Sequence, residues 1–122
     1  MIATLSLQMG GTKPFNPIIG ETFQAKVGDI HMYLEQTSNH PPIFNYYIIG
    51  PLFTSYGYSE VEINSYTNSM IVDNKGKMYI EFKDGTLYKI KPPKMQMSGL
   101  MLGKRYMNFI ENFAIEDLVK IN

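Results

Sequence analysis

Two short segments combine polar side chains with prolines that restrict the backbone around them. The first is the KPFNP run at residues 13–17, and the second is the NHPP run at residues 39–42. Because proline fixes its own φ angle at about −65°, each run is an ordered, non-helical stretch that can hold its polar groups in place. An ammonium, an imidazole and two amides can donate charge-assisted hydrogen bonds to phosphate oxygens. A candidate anion-binding site follows, made of Lys13, Asn16, Asn39 and His40.

The same residues also suit an ordinary structural role. In that interpretation the prolines shape tight turns, Asn39 caps one of them, and His40 bonds a buried carbonyl group. The residue types by themselves leave the binding role and the structural role open.

The sequence lacks the motifs of the common catalytic and cofactor sites. It contains no nucleophile elbow, Walker loop, GxGxxG run or HExxH motif. The absence of cysteine excludes a disulfide framework, a thiolate zinc site and a cysteine nucleophile. The two histidines, His31 and His40, have no carboxylates at a metal-ligand spacing. We therefore predict no enzymatic activity, no catalytic residue, no metal and no cofactor.

The composition indicates one small folded domain over residues 1–122. The chain has a mass of 14.0 kDa, with 44% hydrophobic and 18% charged residues, which excludes a disordered polar chain. Its net charge of zero argues against a nucleic-acid partner. No apolar run approaches the roughly 18 residues that a membrane span needs, and no signal peptide is evident. These observations predict a soluble, cytoplasmic protein.

The pattern of apolar residues and turn signals predicts strands and hardly any helix. A short helix is expected only over Met1–Gln8. The segment Ile43–Ile49 is apolar on both faces, which predicts a strand covered on both sides, as in the wall of a filled barrel. The predicted fold is all-β, an antiparallel meander that forms a partial or small β-barrel. Its predicted strands are Thr22–Val27, His31–Gln36, Ile43–Ile49, Phe53–Ile63, Ser69–Val72, Met78–Phe82, Leu87–Ile90, Gln96–Leu102 and Tyr106–Phe113.

The basic residues are unevenly placed. Residues 75–105 hold eight basic and two acidic residues, a net charge of +6. This segment could contact anionic membranes or form an ordinary solvated sheet face. The methionines over Met95–Met107 could likewise line a pliable lipid cavity or simply fill a core.

Residues 12–23 and 35–43 together resemble the lipid-binding domain of the oxysterol-binding protein family. The first segment, TKPFNPIIGETF, matches the family's KPFNPLLGE motif nearly throughout, and the second, EQTSNHPPI, matches its EQVSHHPP motif with two departures. A looser resemblance covers most of the chain from Lys13 onward. It implies an incomplete β-barrel around a hydrophobic tunnel, which binds one sterol or phospholipid. It also implies non-vesicular lipid transport at membrane contacts, between membranes that the protein touches peripherally.

The resemblance also implies roles for single residues. The family's Lys, Asn and paired His contact the headgroup of phosphatidylinositol 4-phosphate, and Lys13, Asn16 and His40 match three of these positions. Asn39 stands where the family has its first His, and an amide can donate hydrogen bonds but cannot become cationic. Loss of a charge-assisted contact costs about 1.5–3 kcal/mol, or roughly ten- to a hundred-fold in affinity.

The resemblance covers only the front half of the family's barrel. A half barrel leaves open strand edges and an apolar inner wall, which favour association with another chain. We therefore expect a homo-oligomer or a second chain to close the barrel, with a smaller self-closed barrel or a shortened chain as alternatives. The alternative function is a protein-interaction or scaffold module that retains the barrel motifs without transfer activity.

Overall fold

The computed structural model describes residues 17–112 and 114–118, and all regular structure in them is β-strand. Ten strands follow one another along the chain. They are β1 (Thr22–Val27), β2 (Ile30–Asn39), β3 (Pro42–Ile49), β4 (Phe53–Ser65), β5 (Ser69–Asn74), β6 (Lys77–Phe82), β7 (Leu87–Lys91), β8 (Met95–Ser98), β9 (Tyr106–Phe109) and β10 (Ala114–Leu118).

The predicted all-β, antiparallel class is confirmed, with local corrections to the strands. The strand predicted over Gln96–Leu102 ends at Ser98, because Gly99 and Gly103 have positive φ angles of 73° and 89° and turn the chain into a loop. Strand β10 was missed, and the strand predicted over Tyr106–Phe113 ends at Phe109. The helix expected over Met1–Gln8 lies outside the described residues.

The strands form one branched antiparallel sheet. Strands β1 to β4 pair in chain order, and the long β4 then divides its pairing between two partners. Its first half pairs with β6, and its second half pairs with β5. One branch continues from β6 through β7 to β10, and the other from β5 through β8 to β9. The described sheet is not closed into a barrel.

The β5–β6 connection fixes the branch point. The Asn74 side-chain oxygen accepts hydrogen bonds from the backbone amides of Glu60 and Gly76, at 3.1 and 3.0 Å. Its amide nitrogen donates to the hydroxyl of Ser59 at 2.9 Å. A Cβ atom at Gly76 would overlap the carbonyl oxygen of Tyr58. Glycine is therefore required there, since the two backbones approach too closely for a side chain.

One face of the sheet is apolar across both branches. Residues paired between antiparallel strands lie on the same face, and alternate residues along a strand share a face. The register places a continuous apolar face on one side, contributed by Phe23, Met32, Leu34, Tyr46, Ile48, Met78, Ile80, Ile90, Ile63, Val72, Met95, Met97, Met107 and Phe109.

The opposite face carries a row of tyrosines. Tyr33, Tyr47, Tyr56 and Tyr79 lie on adjacent strands in directly paired positions. The rings of Tyr56 and Tyr79 stack with their centroids 5.4 Å apart, and those of Tyr47 and Tyr56 lie 6.2 Å apart. Such cross-strand aromatic pairs fix the register and stabilise the sheet. Among the described residues no second layer packs against this sheet, and the tyrosine row therefore contributes to its stability.

Apart from Pro93, no described apolar side chain is buried. The prediction that Ile43–Ile49 is covered on both sides is therefore wrong for this structure, in which Tyr47 is 46% and Ile49 41% exposed. The physical reason is that the described sheet is a single layer, so its apolar face has no opposing layer. The sequence pattern correctly indicates that this strand has apolar residues on both faces, but it does not indicate what covers those faces.

Candidate functional site

The second polar motif lies at the end of β2 and in the turn that follows. Gln36 pairs with Phe44 of β3, whereas Ser38 pairs with Ile43, so that Thr37 forms a β-bulge. The bulge brings the chain into a turn at residues 40–41, where the His40–Pro41 peptide bond is cis. Asn39 and His40 are both exposed there, side by side at one end of the sheet.

Gln36 is the most deeply buried described side chain, at 1% exposure. Its Nε2 atom donates to the carbonyl oxygen of Ser38 at 3.0 Å and to Oδ1 of Asn39. Since a carbonyl oxygen only accepts, the contact with Ser38 identifies the donating end of the Gln36 amide. The atom of Asn39 that faces Gln36 must then be its oxygen.

This contact orients the Asn39 amide. With Oδ1 held by Gln36, the Nδ2 group and its two hydrogens are left to donate elsewhere. An exposed amide donor beside an exposed imidazole can bind phosphate or carboxylate oxygens. The structure therefore brings Asn39 and His40 together with the polarity that an anion requires.

The residues that follow the first polar motif contact the strand that carries the second. The backbone amide of Gly20 donates to the carbonyl oxygen of Gln36 at 3.0 Å. Gly20 has a φ angle of 81°, and the Ile18 amide donates to Glu21 Oε2 at 2.9 Å in the same turn. The turn after the first motif is thus attached to the strand that carries the second motif. Lys13 and Asn16 lie outside the described residues.

Sequence reasoning missed the role of Gln36, although Gln36 lies within the 35–43 segment that resembles the EQVSHHPP motif. The signal in the sequence was that Gln36 is polar, although the alternation of residues along β2 assigns its position to the apolar face. Its Oε1 atom is buried and has no hydrogen-bond partner among the described residues. Gln36 thus orients the site without being exposed to a ligand.

A second buried polar group lies on the apolar face near Gln36. The Tyr46 hydroxyl is buried and makes no hydrogen bond within the described part of the chain. Burial raises the pKa of Tyr46 above its ordinary value of 10.0, and the neighbouring Ser55 side chain partly offsets this shift. Tyr46 is therefore neutral at physiological pH.

The described residues offer little to other site chemistries. They contain no group of three or more metal-ligating side chains, and no helix long and apolar enough to span a membrane. An open groove of about 220 Å³ lies along β1, β2 and β3, lined in part by Gln24, Tyr33 and Tyr47. It is smaller than the roughly 300–1,000 Å³ of typical ligand pockets, and the apolar face is the larger feature.

Comparison with known proteins identifies the family to which this sheet belongs. The family model described as oxysterol-binding protein matches residues 1–120. The chain belongs to the oxysterol-binding protein family.

Several members of the oxysterol-binding protein family are similar to this chain. Oxysterol-binding protein-related protein 1D of Arabidopsis thaliana is 30% identical over 106 residues, which cover 85% of this chain and 13% of the relative. Oxysterol-binding protein homolog 1 of Saccharomyces cerevisiae is 31% identical over 102 residues, which cover 76% of this chain and 9% of the relative. The chain thus spans only a small part of these relatives.

Solved structures of the oxysterol-binding protein family share the sheet. The crystal structure of the Osh3 ORD in complex with PI(4)P, from Saccharomyces cerevisiae, has a TM-score of 0.78 and 25% identity. The Osh1 ORD domain in complex with cholesterol has a TM-score of 0.77 and 29% identity. Each match covers 86% of this chain, but only 29% and 27% of the solved chains. The predicted resemblance to a part of the family's barrel is confirmed.

Proposed function

We propose that the chain binds a lipid, either a sterol or phosphatidylinositol 4-phosphate, and takes part in its non-vesicular transfer between membranes. The observation that carries this proposal is the apolar face that continues from β1 to β9 and has the polar Asn39–His40 turn at one end. Such a face suits an acyl chain or a sterol body, and the turn suits a polar headgroup. Similar ORD structures contain PI(4)P or cholesterol.

The proposal assigns the headgroup to Lys13, Asn16, Asn39 and His40. The Gly20 amide bonded to Gln36 supports this assignment, because it attaches the turn that follows the first motif to the strand of the second. The oriented Nδ2 group of Asn39 supplies two neutral donors where the family has a histidine. Binding needs no cofactor, and the proposal includes no catalytic step.

Closure of the apolar face belongs to the same proposal. An exposed apolar face of this extent is unfavourable in water, and a lipid bound to it would remain in contact with solvent on one side. We propose that a second copy or another chain covers the wall. We also propose a cytoplasmic protein in which residues 1–122 act as one unit that contacts anionic membranes peripherally.

Lipid extraction from vesicles tests the proposal. Vesicles that contain both ergosterol and phosphatidylinositol 4-phosphate are incubated with the protein, and the lipids in the protein fraction are quantified. We expect Lys13→Ala and His40→Ala to lower phosphoinositide uptake about tenfold or more, with little change in sterol uptake. Equal losses of both lipids would refute the headgroup assignment, and no uptake of either lipid would refute lipid binding.

A protein-interaction module is the second candidate. The exposed tyrosines of the face opposite the apolar wall favour it, because Tyr33 and Tyr47 are 41% and 46% exposed and tyrosine is enriched at interfaces. In that case Tyr33→Ser and Tyr47→Ser would abolish association with a partner and leave lipid uptake unchanged. Loss of lipid uptake in these variants would argue against this separate role.

A further inference from the structure

The loop between β8 and β9 (residues 99–105) has an exposed apolar tip, Met101 and Leu102. Hydrogen bonds hold the backbone of this tip in a fixed conformation. Asn68, in the turn between β4 and β5, makes five hydrogen bonds to it. The Asn68 Oδ1 atom accepts from the backbone amides of Met101 and Leu102, both at 2.9 Å, and its Nδ2 donates to the Leu102 carbonyl at 2.9 Å. The Asn68 carbonyl accepts from the amides of Gly99 and Leu100, at 3.0 and 3.3 Å.

The loop is also closed at its base. Gly99 has a φ angle of 73°, and a Cβ atom there would overlap the carbonyl oxygen of Lys104. Only glycine permits this approach of the two ends of the loop. The exposed apolar side chains are thus presented by a constrained backbone.

The tip is among the most exposed apolar surfaces of the described residues. Met101 is 75% and Leu102 78% exposed, and both project beyond the end of β8. Tyr66, two residues before Asn68, is 59% exposed, and Tyr106 at the start of β9 is 52% exposed. Two aliphatic side chains flanked by tyrosines have the composition of a segment at a membrane interface.

The charges around the tip are positive. Lys104 and Arg105 follow the tip directly, and neither lies within ion-pair distance of a carboxylate in the described ranges. Three acidic residues on or beside the neighbouring strands are already paired. Glu62 contacts Lys75, while Asp73 and Glu111 lie 3.2 and 3.6 Å from Lys94. The tip therefore presents two cations and no unpaired carboxylate of its own.

We propose that the 99–105 loop is a membrane anchor, in which Met101 and Leu102 insert into the headgroup region of an anionic bilayer and Lys104 and Arg105 bind its phosphates. Charge complementarity selects this partner, because exposed apolar side chains flanked by two cations match an anionic interface. The inference rests on the proposed membrane role and identifies the surface that performs it.

The position of the tip in the sheet agrees with this role. The Asn39–His40 turn precedes β3, whose first residues pair with Glu60 of β4. From Glu60, β4 continues in the same direction to Ser65, about 17 Å further at the rise of an extended strand. The tip and the polar turn therefore lie toward the same end of the sheet. A bilayer that holds the tip faces the proposed headgroup site.

Vesicle co-sedimentation tests the anchor. The probes are phosphatidylcholine vesicles with and without phosphatidylserine. We expect the variant Met101→Ser/Leu102→Ser to lose roughly 10- to 100-fold in affinity for the anionic vesicles. The matched control is Val27→Ser/Leu52→Ser, whose side chains are 62% and 70% exposed at the opposite end of the sheet. This control should bind vesicles as the unmodified protein does.

Charge reversal tests the second half of the anchor. At about 1 kcal/mol for each cation near an anionic surface, neutralising both lowers the affinity roughly 30-fold. Lys104→Glu/Arg105→Glu should lose at least this much on phosphatidylserine vesicles and change little on pure phosphatidylcholine. Added salt should weaken the binding of the unmodified protein and not that of this variant.

Sterol uptake from methyl-β-cyclodextrin separates this inference from the proposed function, because that uptake requires no bilayer. Normal uptake by the tip variants, together with weakened vesicle binding, supports the anchor. Three results would overturn the anchor. They are failure of the unmodified protein to bind anionic vesicles, a loss of vesicle affinity in the control variant as large as that in the tip variant, and tip substitutions that change only self-association. Failure of sterol and phosphoinositide uptake in all proteins would instead refute the proposed function.

Discussion

The orientation of Asn39 by Gln36 leads to a specific prediction for the isosteric substitution Gln36→Glu. The Gln36 Nε2 atom donates to both the Ser38 carbonyl and the Asn39 Oδ1 atom. A glutamate places an oxygen there, which cannot donate when it is ionised. Because burial raises the pKa of a carboxyl group, the variant is measured well above neutral pH. Asn39 must then rotate its amide so that Nδ2 donates to the new carboxylate. After that rotation, Oδ1 rather than Nδ2 faces an incoming anion.

The size of the effect follows from the bonds involved. A hydrogen bond to a charged group contributes about 1.5–3 kcal/mol, so loss of the Asn39 donor lowers the affinity for an anionic headgroup roughly 10- to 100-fold. Gln36→Leu is the matched control, because it removes the contact without reversing its polarity. Asn39 is then free to adopt either amide orientation, which lowers the affinity only about twofold.

Titration calorimetry with short-chain phosphatidylinositol 4-phosphate measures both variants. Urea unfolding accompanies it, because the leucine variant loses both hydrogen bonds of the buried Gln36 amide and the glutamate variant loses the one to Ser38. Either change lowers the free energy of unfolding by about 1–3 kcal/mol. Sterol uptake reports whether the fold survives and should be retained by both. If the glutamate variant binds the headgroup as well as the leucine variant does, Gln36 does not orient Asn39 and the reasoning is refuted.

Three further predictions concern single residues of the site and the sheet. Asn39→His should raise the affinity for phosphatidylinositol 4-phosphate roughly tenfold through a charge-assisted contact, and calorimetry without any gain would contradict this account of position 39. Gly76→Ala should lower the unfolding free energy by about 1–3 kcal/mol and expose the Lys75 amide, which bonds to Glu60, to hydrogen exchange. Gly85→Ala, whose Cβ would meet no atom within 4 Å, should leave that amide protected, and equal exchange in both variants would count against the branch point. Because burial raises the pKa of Tyr46 in the folded state, its contribution to stability is present below pH 10.0 and is lost as the pH rises through the folded pKa. Tyr46→Phe should reduce this alkaline loss in urea unfolding, and an unchanged pH profile would contradict the shift.

The elements that the sequence predicts well are those with local signals. Strand β1 has the bounds predicted for it, and the β6–β7 hairpin forms around Asp84-Gly85 as expected. In that turn the Asp84 carboxylate accepts from the Thr86 amide at 2.9 Å, and Gly85 has a φ angle of 91°. Such turns depend on residues within a few positions of one another, so the sequence alone indicates them.

The features that escaped prediction depend on distant pairings. Strand β10 is short and includes Glu116 and Asp117, and it forms because it pairs with β7, with Glu116 bonded to Lys89 at 2.6 Å. The branching of β4 depends on Asn74, which bonds residues on both sides of the branch point. No local pattern encodes either arrangement, because the partner strand supplies the stabilising contacts.

The candidate site likewise combines features with local sequence signals and features that depend on strand pairing. Its residue types and motifs identified Asn39 and His40, and the structure places both at one exposed turn. The buried side chain of Gln36, which orients Asn39, could not be assigned from residue type because its role arises from the β-bulge. The assignment of Lys13, Asn16, Asn39 and His40 to a lipid headgroup stays a prediction.

Native mass spectrometry of the protein after incubation with mixed lipid vesicles tests the central claim of lipid binding most directly. The vesicles contain ergosterol and phosphatidylinositol 4-phosphate, and the spectrum reports both the bound lipid and the number of chains. The account predicts a species with the added mass of one of these lipids, carried by a closed assembly. A spectrum that shows only lipid-free chains would contradict it.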